Sequence, residues 1–385
     1  MNPLWHDWNP TVTRATPQLL DATLSEVGLD NSLPRPTHEQ VLEWLTRGHE
    51  LGLDTHELLT LKDTRDVVAA ARLLDFLIDS GRRKGLVFSL RQGCPWPSAL
   101  LRSAQDAEVE FRWIPRPVAA GDPDLTTCRR LRSEGCAVSL VIPNANEQDP
   151  IRLSRWLHCA EECGVEIVEI AAQGGAPWRA GIQSLLQFVQ GMLQTPRLAW
   201  SSDHGFGLAL NQALEAWNCG VSRLRASLYG SGPQGSVPLE LLLVNLELET
   251  GFSVRLASLS ALCKFAEDSF DLEIPHDYPV FGCDAFRTAT GVHAAAIVKA
   301  RALGRADISD LVYSSVPAGK LGLRQKIEVG PMSGKANLSD WLDRHALEHN
   351  PRLLERLLEQ VKQRYQILTD LELIDLYQDE RISLC

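Results

Sequence analysis

Polar residues collect at four places where a short apolar run gives way to an amphipathic stretch. They are Ser25 and Glu26, Gln173 to Gly175, Ser201 to His204, and the turn GSGPQG from Gly230 to Gly235. Glu26, Asp203 and His204 are the ones among them that could carry charge. Two carboxylates held close together can bind a hard cation such as Mg²⁺, or shift each other's pKa for acid–base work. The same residues have a plainer reading: Glu26 caps one helix, and Asp203 or His204 caps the helix that begins near Phe206. GSGPQG could cradle a phosphate through its backbone amides, or simply turn the chain after a strand.

Such residues need a scaffold, and the chain offers a regular one. Eight short apolar runs read as strands: QLLDATL, THELLTL, GLVFSL, VEFRWI, AVSLVI, VEIVEI, RLAWS and SRLRASLY. Charged residues interrupt the second and fourth. Helix-period segments lie between them, several closing on Gly, the residue that takes up positive φ at a helix C-terminus. Eight strand–helix units fit a (β/α)₈ TIM barrel, with PLELLLVNLELE as its last helix. An open doubly wound sheet is the alternative, because periodicity does not give strand order. On a barrel, the four polar places fall at strand ends and βα loops, where function collects.

After about residue 252 the rhythm changes to SLSALCKFAEDSF, a Pro-containing segment, the small-residue helix TGVHAAAIVKARAL and a mostly helical end. The expected organisation is a TIM-barrel domain over 1–252 and a small, mainly helical C-terminal subdomain over 253–385.

The chain has 385 residues, of which 44% are hydrophobic and 23% charged, as in an ordinary soluble domain. No apolar run approaches the roughly 20 residues that span a bilayer, and the start lacks a signal-peptide pattern. A cytoplasmic protein with no membrane partner is expected. A net charge of −11 argues against a nucleic-acid groove. Nine scattered cysteines, with no CxxC pair, are expected to be reduced thiols.

Four segments, in order, resemble the isopropylmalate synthase and homocitrate synthase family of the DRE-TIM metallolyase superfamily. LLDATLSEVG stands in the place of D-x-T-L-R-D-G. DHGFGLALNQALEAWNCGVSRLRASLYGSGPQGSVPLELLLVNL is similar to the family's H-x-H-N-D-x-G-L-A and G-x-G-E-R-x-G-N stretch. FGCDAFRTATGVHAAAIVK is similar to G-x-x-A-F-x-H-x-S-G-I-H, and KLGLRQKIEVGPMSGKANL to V-G and I-x-x-G-x-x-S-G-x-x-x-L. The resemblance implies a TIM barrel with a small subdomain, assembled as a homodimer in which the subdomain of one chain reaches over the barrel of the other. It implies a Claisen-type condensation of an acyl-CoA, typically acetyl-CoA, with a 2-oxo acid. A divalent metal polarises the oxo acid, an arginine holds developing charge, and a histidine and tyrosine assist proton transfer.

Carried over position by position, the metal and oxo-acid side is rewritten. The family arginine falls on Ser25 and the metal-binding aspartate on Glu26. The H-x-H pair falls on Ser201 and Asp203, and the asparagine after it on His204. The later glutamate and asparagine become Pro233 and Ser236, the strand-6 threonine Gln173, and the first histidine of H-x-S-G-I-H Thr288. Kept are His293, Tyr313, Ser333 and the turn glycines Gly230 and Gly232. The resemblance therefore implies His293 and Tyr313 as catalytic, and Ser25, Gln173, Gly230, Gly232, Ser236 and Ser333 as substrate-binding. It leaves Glu26, Asp203 and His204 as an altered metal site suited to a hard ion such as Mg²⁺, with acyl-CoA as co-substrate. Two functions follow from this pattern. One is a diverged condensing enzyme. The other is a non-catalytic homologue that pairs with or regulates an active paralogue.

Overall fold

The computed structural model describes residues 15–116, 123–173, 179–250, 255–314 and 316–384. Its eight strands close into a parallel barrel in chain order. They are β1 (Gln18–Asp21), β2 (His56–Leu61), β3 (Leu86–Arg91), β4 (Val109–Ile114), β5 (Ala137–Ile142), β6 (Ile167–Ala172), β7 (Arg197–Ser202) and β8 (Arg223–Ala226). Each expected run supplies one strand, and β1 pairs β8 over four residues to shut the ring, which excludes the open sheet. Helices lie between the strands, with local signals that fix their ends. Thr37 and Gln40 form a capping box at the start of helix His38–Leu51, and Gly52, at φ 89°, ends it. Asp63 and Asp149 accept backbone N–H groups at the starts of the helices Thr64–Asp79 and Pro150–Cys163.

Outward-facing Phe88, Phe111 and Trp200 are buried and form part of the apolar core. The lumen is different. A TIM-barrel interior is usually filled by branched aliphatic side chains, whereas this one holds ions. In the lower layer, Arg223 donates to both oxygens of Glu110 at 2.6 and 2.9 Å and to Gln18 Oε1 at 3.0 Å. In the upper layer, Arg112 donates from Nε and Nη2 to Glu169 at 2.7 and 2.5 Å, and from Nη1 to Ser89 Oγ at 3.1 Å. Arg225 donates from Nε to Glu57 at 2.7 Å and from Nη2 to Glu26 at 2.6 Å. Ser89 and Ser25 donate to the other oxygen of Glu57 at 2.7 and 2.9 Å, and Ser201 donates to Glu169.

An unpaired buried ion costs several kcal/mol, so this layer is stable only as a complete set. Burial alone would raise the Glu57 carboxyl. The charges of Arg225 and Arg112, with hydrogen bonds from Arg225 and Ser89, outweigh it and hold the group at about 2. Glu169 is likewise lowered, burial being overcome by Arg112.

Contacts divide the chain into two compact units that meet between Glu273 and Ile274. Helix Leu256–Phe270 belongs to the barrel unit because Phe265 and Phe270 pack on Trp44, with ring centroids 6.4 and 5.4 Å away. Trp44 is itself anchored by donating to Asp21 at 2.7 Å.

The second unit has a short parallel pairing, Arg287–Thr288 with Lys326–Ile327, and a helical core around Leu338, Trp341, Leu353, Leu357 and Tyr377. Its helix Gly291–Ala302 starts against the turn before helix Lys335–Arg344. A Cβ on Gly291 would lie 2.8 Å from Gly334 N, so only glycine fits there. No helix among the described residues is long and apolar enough to cross a membrane, and the described cysteines are free thiols.

The lattice makes two expectations measurable. Glu57→Gln leaves two buried guanidiniums undercompensated and should lower the unfolding free energy in urea by about 3–5 kcal/mol. Because the folded Glu57 carboxyl lies below its ordinary 4.5, the stability it contributes is complete above that pH and is lost as pH falls through about 2. A wild-type urea midpoint that stays flat over this interval would contradict the assignment.

Candidate functional site

A cavity of about 620 Å³ opens at the C-terminal ends of the strands. A larger one, about 840 Å³, opens at the opposite ends, around Arg223 and Glu110. We place the site in the smaller cavity, because loops at the C-terminal face carry function in this fold and the Arg223–Glu110 pair below is a closed structural contact.

Glu26 and Asp203 both line the mouth, Glu26 past the end of β1 and Asp203 past the end of β7. Gln173 and Ser236 line it too. Gln173 is fixed by a reciprocal pair of bonds with Asn146, its N–H donating to Oδ1 at 3.0 Å and its carbonyl accepting from Nδ2 at 3.1 Å. Gly174 and Gly175, its neighbours in the loop, lie outside the described residues. Gly232, at φ 127°, lets the GSGPQG turn pass directly over the Glu26 carboxylate, where a Cβ would collide with Oε2.

Other expected site residues have different work. Ser25 is buried beneath the mouth, its hydroxyl bonded to Glu57 and 2.8 Å from Thr60 Oγ1, so it is part of the lattice. Gly230 serves the turn: at φ 62° it lies so close to Ser236 that a Cβ would be 2.7 Å from that carbonyl oxygen. Ser333, in the second unit, accepts from Gly330 N at 2.8 Å and donates to the Ala289 carbonyl at 2.9 Å, which fixes a turn and occupies its proton.

The expected metal set of Glu26, Asp203 and His204 does not assemble. His204 is exposed and is not part of the cavity wall, and among the described residues no three His, Cys, Asp or Glu side chains converge as ligands. The physical reason is Arg225. Its Nη2 sits 2.6 Å from Glu26, so the carboxylate that would bind a cation already has one. A divalent ion about 4 Å from that guanidinium would meet a repulsion of about 8 kcal/mol at an effective dielectric of 20. These side chains therefore do not fit a chelated divalent metal.

The cationic residues of the site escaped the sequence reading. Arg112 and Arg225 line the cavity, as do Lys62, Arg91 and Arg116. Arg225 has Nε and Nη2 engaged, while its Nη1 makes no hydrogen bond among the described residues. In the second unit, the His293 and Tyr313 rings stack with centroids 3.8 Å apart and planes 18° from parallel. Tyr313 is exposed and takes a φ of 60°, an unusual conformation for a bulky residue.

No family profile matches the chain. The (R)-citramalate synthase of Aquifex aeolicus is 24% identical over 220 residues, which cover 52% of this chain and 40% of that protein. The homocitrate synthase AksA of Methanopyrus kandleri is 23% identical over 215 residues, 54% of this chain and 51% of that one. The chain thus spans about half the length of the curated relatives it matches. Among solved structures, the HMG-CoA lyase of Bacillus subtilis superposes with a TM-score of 0.56 at 15% identity, covering 67% of this chain and 95% of that one. The carboxyl transferase domain of Rhizobium etli pyruvate carboxylase gives 0.53 at 14%, covering 86% and 60%. These structures share the fold. The sequence relatives are a citramalate synthase and a homocitrate synthase, and this chain is similar to them over about half its length.

Proposed function

We propose that this protein is a homocitrate synthase-like member of the family whose oxo-acid site is built on arginine instead of a chelated divalent cation. The observation that carries the reading is Arg225. Two of its nitrogens neutralise Glu26 and Glu57, and the third, Nη1, is left for the carboxylate or carbonyl oxygen of a 2-oxo acid entering the mouth. A guanidinium suits this task, since it stays charged when buried and presents fixed donors to planar oxyanions. The Glu57 and Glu169 carboxylates beneath it are held ionised and fully bonded, so they anchor the arginines and are not proton carriers. In the condensation so proposed, the α-carbon of an acyl-CoA gives up a proton and bonds to the oxo carbon, the oxo oxygen takes up a proton and becomes a hydroxyl, and water cleaves the thioester to a carboxylate and free CoA. Its 2-oxo acid and acyl-CoA substrates are those the family resemblance suggests.

The test is calorimetric titration with pyruvate and 2-oxoglutarate, alongside thiol release from acetyl-CoA, each with EDTA or with added Mg²⁺. Binding and thiol release should be indifferent to both. Loss in EDTA and recovery with Mg²⁺ would overturn the arginine site. Arg225→Gln should weaken oxo-acid binding by about tenfold or more, the scale of one charge-assisted hydrogen bond.

A second reading is favoured by the stacked His293–Tyr313 pair. The unit bearing the family's acid–base residues keeps them together, while the barrel has given up its cation ligands. Such a unit could complete the barrel of a different, metal-competent chain, in a heteromer with a paralogue. Co-expression with an intact synthase should then yield a mixed complex whose thiol release falls with His293→Ala or Tyr313→Phe. Turnover by the isolated homodimer rules this reading out.

A further inference from the structure

A turn in the second unit, from Pro275 to Ala285, brings together two side chains that neither the fold nor the reading above uses. His276 Nδ1 stands 2.9 Å from Cys283 Sγ. Both residues are exposed, and Cys283 is the one exposed thiol among the described cysteines. In the pattern G-x-x-A-F it falls on an open position, so the family resemblance gives it no role.

The chain is bent hard to make this contact. Val280 takes a φ of 67°, which a β-branched residue rarely adopts. Gly282 passes so close to His276 that a Cβ would be 2.4 Å from its carbonyl oxygen. Backbone bonds hold the bend: Gly282 N–H donates to the Tyr278 carbonyl at 2.9 Å, and Asp284 N–H to the His276 carbonyl at 3.0 Å. Strain of this kind persists only where the surrounding bonds over-determine it.

The charges around the pair leave the thiol free to ionise. Its other neighbour is Asp284 Oδ1, at 3.6 Å. A lone carboxylate there would oppose a thiolate, but Arg287 pairs with it and its hydrogen bond holds the Asp284 carboxyl below the usual range. Arg287 is itself fixed, donating from Nε to Glu328 at 2.7 Å. Elsewhere the surroundings work the other way. Burial pushes the half-buried Cys94 thiol up to about 11 and raises Cys136 as well. The thiolate is the nucleophile, and at Cys283 alone of these three a base stands ready to take the proton.

The turn also narrows the kind of electrophile. Acyl transfer builds an oxyanion that needs N–H donors. Here the N–H groups of Gly282, Asp284 and Ala285 are already given to the carbonyls of Tyr278, His276 and Gly282. Thiol–disulfide exchange makes no oxyanion, because the charge stays on sulfur.

We propose that Cys283 and His276 form a thiol-modification site that takes a low-molecular-weight disulfide. His276 Nδ1 accepts the Cys283 proton, and the Cys283 sulfur attacks one sulfur of the disulfide. The old S–S bond breaks as the new one forms, and His276 returns the proton to the departing thiolate. The products are a mixed disulfide at Cys283 and one free thiol. Among the described residues the second unit holds no other cysteine that could displace the adduct.

The experiment treats the full-length, reduced protein with glutathione disulfide and follows each cysteine by peptide mass mapping. Cys283 should be modified about tenfold or more faster than Cys94 or Cys136. His276→Gln, which cannot carry the proton, should slow Cys283 by about tenfold or more. His276→Ala should be slowed likewise and regain part of the rate with free imidazole, a response that a merely structural residue would not give. The turn closes through the His276 backbone carbonyl, so both variants should keep it, with the melting temperature as the check. If a variant unfolds, the wild-type comparison with Cys94 and Cys136 still decides. A Cys283 rate no greater than theirs, a rate indifferent to His276→Gln, or a His276→Ala variant that imidazole does not rescue overturns the proposal.

Discussion

A guanidinium buried between two carboxylates governs this molecule. Arg225 holds Glu57 from one edge and Glu26 from another, while Arg112 holds Glu169 and reaches Ser89. With charges taken out of water, no member can be changed independently, and the barrel interior becomes one electrostatic object. Three carboxylates and two guanidiniums leave a single net negative charge, concentrated toward Glu26 at the mouth. The Arg225 guanidinium beside that carboxylate already serves as its cation.

The scaffold was legible because its signal is repeated. Each strand is a short apolar run, several helices have a cap or a closing glycine, and eight repetitions leave few topologies that can satisfy them. The charges inside β2 and β4 looked like interruptions when read along the chain. In space they alternate: Glu57, Arg112, Glu169 and Arg225 occupy every second position of their strands and face a common axis, while Phe88, Phe111 and Trp200 point to the helices. Opposite charges on the inward face of alternate strands were a readable sign of an ion-filled lumen. What could not be read was which acid meets which base, because that depends on shear and closure of the sheet.

The site was legible in part. Strand-end logic found Glu26, Gln173, Asp203 and Ser236, which line one cavity. It missed every cation there, since searching for metal ligands directs attention to acids and imidazoles. Ser25 lies beneath that cavity, where its buried hydroxyl bonds to Glu57 and Thr60, contacts that its place in a motif did not reveal. His293 and Tyr313, far apart in number, meet as stacked rings, a proximity that spacing alone could not supply.

The shared bonding of Glu26 also bears on how such a barrel can change over generations. A lone substitution at Arg225 removes the guanidinium that Glu57 and Glu26 share, and a lone histidine at Ser201 must displace the hydroxyl that Glu169 relies on. Each single step toward metal chelation thus passes through a less stable intermediate. The lattice works as a ratchet: each member resists replacement for as long as its partners stay in place.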